Sequence, residues 1–304
     1  VPTVLDIEIG LDLSREEVPG GIGVRQEVVA RAFRMVTGPT RAFVREMSDS
    51  RRGSRGDADD KPWSRFADSI TDSDLEALYA LGRPMVFRAG EHLMRAGERG
   101  NHIAVLRSGH VKVVTGDGSG HERLIGVRGR GDLLGEMACL QNRPRSAGVV
   151  AHNRVDGMWI SGDRFLAFLD RRPRVALEVA RQVMVRLREA ERRQTELVSH
   201  DVGVRLVRAM QEMIAVFAER RCPAVAEVPL LQEELAQLAT ASEVAVQRAL
   251  RGLRDAGLVV THYRRIEIPC MRCFDRWAER VANGARKQAK AVPGCGGSGT
   301  CTSG

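Results

Sequence analysis

Apolar residues are spread unevenly along this chain, and their spacing changes character twice. Before residue 63 the pattern is weak: Val24, Val28, Val29, Phe33 and Val36 are spaced as one side of a short helix would be, but Met47 to Asp60 is polar and carries Gly and Arg. We expect residues 1–62 to be a largely disordered extension, with Met47 an alternative start. From Ile70 the pattern becomes regular. Thr71-Asp72-Ser73 caps a short helix bearing Leu75, Leu78 and Leu81, which Gly82 and Pro84 end. Strand-like runs follow at His92–Met94, Ile103–Leu106, His110–Val114, Arg123–Val127, Ser146–Ala151 and Val155–Ile160, divided by glycine-containing turns such as Gly116-Asp117-Gly118. That spacing predicts a small β-roll, or jelly-roll sandwich, over residues 63–170.

The period then lengthens to that of a helix. Phe165 to Leu169 opens a helical region, Pro173 takes a first-turn position, and one long helix is expected from Arg174 to His200 within a segment 171–200. Ala176, Ala180, Val183, Leu187, Ala190, Gln194 and Leu197 repeat at alternating spacings of four and three, a heptad seam whose small residues let a second helix come close. Arg and Glu crowd its flanks, so homodimerisation is the expectation. Val202 to Arg220 continues as another helix until Cys222-Pro223. A compact unit follows: a short helix with Leu235 and Leu238, a turn at Ala239-Thr240-Ala241, and a second helix capped by Ser242 that runs to about Asp255 with Val246, Leu250 and Leu253 inward. Gly257 stops it, and strands at Leu258–Thr261 and Ile266–Ile268 flank Tyr263-Arg264-Arg265. Helix, turn, helix and hairpin make a winged helix-turn-helix over residues 201–269. The predicted class is therefore α+β: an N-terminal β-roll, a long dimerisation helix and a C-terminal winged helix-turn-helix.

Composition changes this picture little. The 304-residue chain is 43% hydrophobic and only 4% aromatic, so its cores must be built from Val, Leu, Ala and Met. A net charge of +8 suits a polyanionic partner. No apolar run is long enough to cross a bilayer, so no membrane partner is expected and the cytoplasm is the expected location.

The chemistry concentrates in GDLLGEMACLQNRPRSAGVVA, residues 131–151. Gly135 allows a tight turn, and Glu136 to Leu140 read as one or two helical turns. Arg145 adds a cationic fork and Ser146 a hydroxyl, while Glu136 can accept from a sugar hydroxyl instead of a phosphate that would repel it. Acid and base thus divide the work on one ligand, a sugar phosphate.

This stretch resembles the phosphate-binding cassette of the Crp/Fnr family of transcription regulators: a Gly-Glu dipeptide, here Gly135-Glu136, followed about ten residues later by Arg145-Ser146-Ala147. The resemblance implies that Glu136 holds the ribose 2′-hydroxyl and that Arg145 and Ser146 hold a cyclic phosphate. A cyclic nucleotide, cAMP or cGMP, would then be an effector and not a catalytic cofactor. In cAMP-responsive members Thr and Ser on the long helix reach the adenine, but Ala190 and Glu191 stand at those places, so the base is left open, as is whether any ligand is needed.

The second resemblance lies in QEELAQLATASEVAVQRALRGLRDAGLVV, which is similar to the family's DNA-binding domain. It implies double-stranded operator DNA, a second copy of the chain and RNA polymerase as partners. The turn commonly carries Gly where Thr240 stands, and the recognition helix usually opens Ser-Arg-Glu where this one opens Ser242-Glu243-Val244. From residue chemistry, Glu243 suits cytosine, Gln247 adenine and Arg248 guanine or phosphate, while Arg251, Arg264 and Arg265 suit phosphates. The alternative is a nucleotide-sensing interaction protein whose DNA binding is degenerate or ligand-independent.

An enzyme is not expected, because the seven histidines show no shared spacing and no metal motif. Cys270, Cys273, Cys295 and Cys301 are the weak metal candidates. Five residues separate the second pair within a Gly-rich run, so residues 270–304 are expected to be a floppy basic tail that adds nonspecific affinity for DNA.

Overall fold

The computed structural model describes residues 65–116, 122–217 and 225–282. The expected extension over 1–62 and the cysteines Cys295 and Cys301 lie outside the described residues.

Two short helices open the described chain, α1 (Phe66–Ser69) and α2 (Asp72–Tyr79). Thr71 caps α2 by accepting from the Asp74 backbone N–H, which is the ordinary work of a hydroxyl at that position. The roll consists of β1 (Arg83–Phe87), β2 (His92–Met94), β3 (His102–Ser108), β4 (Val111–Gly116), β5 (Glu122–Arg128), β6 (Leu133–Leu134), β7 (Gly148–Ala151) and β8 (Val155–Ser161), with helix α3 (Glu136–Gln141) between β6 and β7. These strands form two four-stranded antiparallel sheets, in the orders β1-β8-β3-β6 and β2-β7-β4-β5.

Strand alternation builds two apolar layers from one sheet. In β3, Ala104 and Leu106 face the interior of the roll with Leu93, Met94 and Val149. Ile103 and Val105 face the other way, onto Phe66, Leu78, Phe165 and Leu169. A strand covered on both sides reads as a continuous apolar run, as this one does. The first helix pair ends before Gly82 and Pro84, as the sequence suggested, but Pro84 lies within β1, a strand the sequence reading lacked. Because β1 is an edge strand, the missing N–H costs it no ladder bond on the open side.

Helix α4 (Gly162–Arg171) leads into the long α5 (Pro173–Ser199), with Pro173 in the first turn. Helix α6 (Val202–Phe217) follows, then β9 (Ala226–Val228), α7 (Gln232–Leu238), α8 (Glu243–Asp255), β10 (Val260–His262), β11 (Arg265–Ile268) and α9 (Met271–Ala282). The last sheet has the order β10-β11-β9, so the wing carries one strand more than the two expected. Its third strand, Ala-Glu-Val, is too short to show periodicity. The basic tail also needs correcting: residues 271–282 are helical, because Cys273, Phe274 and Ala278 recur on one side and close the core of the DNA-binding unit, while Arg272, Arg276 and Arg280 face solvent.

The helix-turn-helix packs on the outer face of the second sheet. Val114, Leu124 and Val127 of the roll share a core with Leu206, Met210, Leu235 and Leu250. Polar groups fix the contact: Gln237 Oε1 accepts from the Leu124 N–H at 2.6 Å, Arg123 donates to Thr240 Oγ1 at 2.8 Å, and Lys112 pairs with Glu234.

Candidate effector site and nucleic-acid interface

The cassette is organised by Gly135, which caps α3 with φ of +81°. A side chain there would be strained, and its Cβ would also collide with the Arg145 guanidinium. Glu136, the first residue of α3, is 2% exposed, and Arg145 is 5% exposed. Arg145 donates through Nη1 to the Gly135 carbonyl at 2.9 Å and through Nη2 to the His102 carbonyl at 2.6 Å. Its own backbone is pinned to the β2–β3 connection, with Arg145 N donating to Glu98 O and Gly97 N donating to Arg145 O. Burial pushes the Arg145 pKa down, and the Cys139, Glu136 and Glu98 side chains oppose that shift.

Glu136 has a partner that sequence reasoning missed. Arg186 on α5 donates to Glu136 Oε1 and, at 2.7 Å, to the Leu133 carbonyl. The sequence placed Arg186 among the charges that flank the heptad seam; only the fold brings together two residues fifty positions apart. The second carboxylate oxygen, Glu136 Oε2, is buried without a hydrogen-bond partner. Ser146 is exposed and Ala147 half-buried at the approach to β7. Gly135, Glu136 and Arg145 are therefore assembled around one locus, with Ser146 at its outer edge.

The remaining capacity of these groups decides what they can hold. A guanidinium has five donors, and Arg145 directs two of its nitrogens at carbonyls, so N–H groups remain for an anion. Glu136 Oε2 is a buried acceptor in need of a donor, and such orphaned atoms call for an explanation. A ligand that brings an anion and a hydroxyl together matches this set.

In the helix-turn-helix unit, Glu243, Val244, Gln247, Arg248 and Arg251 are exposed along one side of α8, while Val246, Leu250 and Leu253 are buried on the other. Ser242 Oγ accepts from the Ala245 N–H at 3.3 Å, so its hydroxyl is engaged as a helix cap. Arg264, in the β10–β11 turn at φ of +61°, and Arg265 are both exposed, and Arg265 lies 3.9 Å from Glu227. A charged helix face beside an arginine-bearing hairpin is the geometry of a groove reader with phosphate contacts.

Comparison with known proteins agrees with both parts of the chain. The cyclic nucleotide-binding domain family matches residues 84–172, and the Crp-like helix-turn-helix domain family matches residues 204–272. The chain belongs to the Crp/Fnr family. Among its relatives, a CRP-like cAMP-activated global transcriptional regulator of Mycobacterium tuberculosis is 26% identical over 218 residues, covering 71% of this chain and 94% of that protein. A cyclic AMP receptor protein of Thermus thermophilus is 29% identical over 185 residues, covering 60% and 78%. The solved structure of a c-di-GMP responsive global regulator of Xanthomonas campestris shares the fold, with a TM-score of 0.57 and 20% identity, over 65% of this chain and 99% of that one. This Crp/Fnr protein is a DNA-binding transcription regulator with a cyclic nucleotide-binding domain, and not an enzyme. Among the described residues no helix is long and apolar enough to cross a membrane, and no group of three or more metal-ligating side chains occurs.

Val244 is the second residue that sequence reasoning left without a role. It is 65% exposed on the outer side of the recognition helix, between Glu243 and the Gln247-Arg248 pair. An apolar residue on a polar helix face, away from the inward stripe, was the available signal.

Proposed function

We propose that this regulator works as a homodimer whose operator binding is controlled by a cyclic nucleotide held at the cassette. The observation that carries the proposal is the pairing at one locus of an unpartnered buried Glu136 oxygen with the unspent donors of Arg145. The ribose hydroxyl donates to Glu136, and the phosphate accepts from Arg145 and from Ser146 at the edge of the site. The residue choice favours a cyclic nucleotide; cAMP and cGMP remain alternatives for the base, since Ala190 offers the base no hydrogen bond through its side chain.

Arg186 joins the effector site to the stalk. A ligand that competes for Glu136 loosens a contact between the roll and α5, and it shifts the position of the DNA heads only by its differential affinity for the two arrangements. Support for the dimer comes from α5 itself. Leu187 is 58% exposed, and Met184, Ala190, Leu197 and Val198 are exposed on the same helix, an apolar stripe that a second α5 would cover. Two α8 helices then meet half-sites about one helical turn apart, and RNA polymerase is the expected partner at the promoter.

Groove recognition falls to Glu243, Val244, Gln247 and Arg248. Val244 supplies an apolar contact suited to a thymine methyl, and Arg251, Arg264 and Arg265 supply phosphate contacts.

Calorimetry with a panel of cyclic mononucleotides tests the effector assignment. One should bind, and Arg145→Ala should weaken it about ten-fold or more, as loss of a charge-assisted hydrogen bond worth roughly 1.5–3 kcal/mol requires. Binding that Arg145→Ala leaves untouched would place the ligand elsewhere.

A further inference from the structure

The junction between the wing and the last helix holds a pair of thiols. Strand β11 ends at Ile268, Pro269 follows, and Cys270 immediately precedes α9, where its carbonyl accepts from the Phe274 N–H at 3.0 Å. Cys273 lies in the first turn, which brings the two Sγ atoms to 3.1 Å, about 1 Å beyond the length of a disulfide bond. Their surroundings differ. Cys273 is 6% exposed and sits in the core with Phe274 and Ala278, whereas Cys270 is half-buried and packs on that core from its edge.

We propose that Cys270 and Cys273 form a reversible intramolecular disulfide, with a low-molecular-weight disulfide as the oxidising reactant. The thiolate of the more accessible Cys270 attacks one sulfur of the small disulfide, forming a mixed disulfide and releasing one small thiolate. Cys273, already in contact, attacks Cys270 Sγ, and the Cys270–small-molecule bond breaks. The balance is two protein thiols oxidised, one small disulfide reduced to two thiols, and two protons passed from the protein cysteines to the released thiolates. Cys270 is the attacking residue and Cys273 the resolving one, as their burial dictates.

The bond would tie the exit of β11 to the first turn of α9. Because α9 shares one core with α6, α8 and β11, the modification falls on the support of the DNA-reading head and away from its reading face.

The experiment uses the full chain equilibrated in mixtures of reduced and oxidised glutathione, quenched with acid, alkylated and digested with trypsin. Arg272 lies between the two cysteines, so cleavage there yields two peptides that stay joined only if Cys270 and Cys273 are bonded. A joined pair should accumulate at oxidising ratios and vanish on reduction. Cys273→Ser should retain glutathione on Cys270, and Cys270→Ser should leave Cys273 unmodified. Alkylation of both thiols at every ratio, or linkage of either one to Cys222, Cys295 or Cys301 instead, would overturn the proposal.

Discussion

At the cassette, Glu136 and Arg145 are turned inward and only partly satisfied by the fold, whereas along α8 the groups proposed to read DNA stand in solvent. Glu136 leans on Arg186 and Arg145 on two carbonyls. Glu243, Gln247, Arg248 and Arg251 are all exposed, with Val246, Leu250 and Leu253 buried on the opposite side. The difference follows from what each partner demands. A small anion must be desolvated to be held tightly, so its ligands are buried and need counter-groups before it arrives. A DNA groove brings its own surface, so its readers can wait in water.

The contrast is broken most severely at Arg186. Arg186→Ala leaves the Glu136 carboxylate buried without its ion partner, and should destabilise the protein by about 3 kcal/mol, the lower end for such a loss because one-fifth of Arg186 is open to water. Urea unfolding checks this. Glu136→Gln in the same background should recover part of the loss, since the orphaned charge is then gone. Additive losses in the double variant would show that the two residues do not act as a pair.

On the DNA face the same kind of truncation should leave folding untouched. Arg248→Ala should cost about 1–3 kcal/mol in operator binding while the urea midpoint and nucleotide affinity stay put. Val244 sharpens the test. After operator selection, replacing the thymines of the bound half-site one at a time by deoxyuridine removes only a methyl group. One such replacement should weaken the wild-type protein and leave Val244→Ala indifferent. If no thymine behaves so, Val244 reads nothing.

These two sites also differ in how much of them the sequence disclosed. The α8 face was legible because helical period alone separates Val246, Leu250 and Leu253 from the outer residues, and Ser242 marks the start. Gly135, Glu136 and Arg145 were legible because a glycine turn and a spaced acid and base lie within one short stretch. Arg186 was not, since nothing local distinguishes an arginine aimed at solvent from one aimed at a carboxylate fifty residues away. Strands β1 and β9 were missed for a related reason: Pro84 looks like a breaker until β1 is known to be an edge, and β9 pairs only with the distant β11. The packing of α7 and the turn at Thr240 against β5 is likewise a tertiary event, carried by Gln237 and Arg123.

A smaller effect separates the regions by pH. His102, beside the cassette, has its pKa lowered to about 4, first by burial and then by Arg145 and Arg83, against Glu98. His152, in the bend just after β7, is also lowered to about 4, by burial and then by Lys112, with His110 and Arg264 adding to the shift and Glu234 opposing it. Each is neutral in the folded protein while the unfolded chain takes up a proton near pH 6.5. Stability from these residues is therefore complete above about pH 6.5 and declines as pH falls toward 4. The urea midpoint should drop between pH 6.5 and 5, before most carboxylates titrate, and His102→Gln should flatten part of that slope. A midpoint constant across this window would contradict the burial of both rings.

Thr240 gives the finest test, because two small effects oppose each other there. Its φ of +50° lies in the left-handed region, where a β-branched residue is strained by about 1–2 kcal/mol and glycine is not. Its hydroxyl also accepts from Arg123, one of the bonds that hold the turn to β5, and an exposed bond of this kind contributes about 0.5–1 kcal/mol. Thr240→Gly removes both and adds the entropy cost of glycine, so the wild-type background should change by less than about 0.5 kcal/mol. With Arg123→Ala already in place the hydrogen bond is absent, and the same substitution should become stabilising. A double-mutant cycle read by urea unfolding reports the difference. If Thr240→Gly has equal effects in the two backgrounds, the Arg123 contact does not hold the turn of the DNA-binding head to the roll in solution.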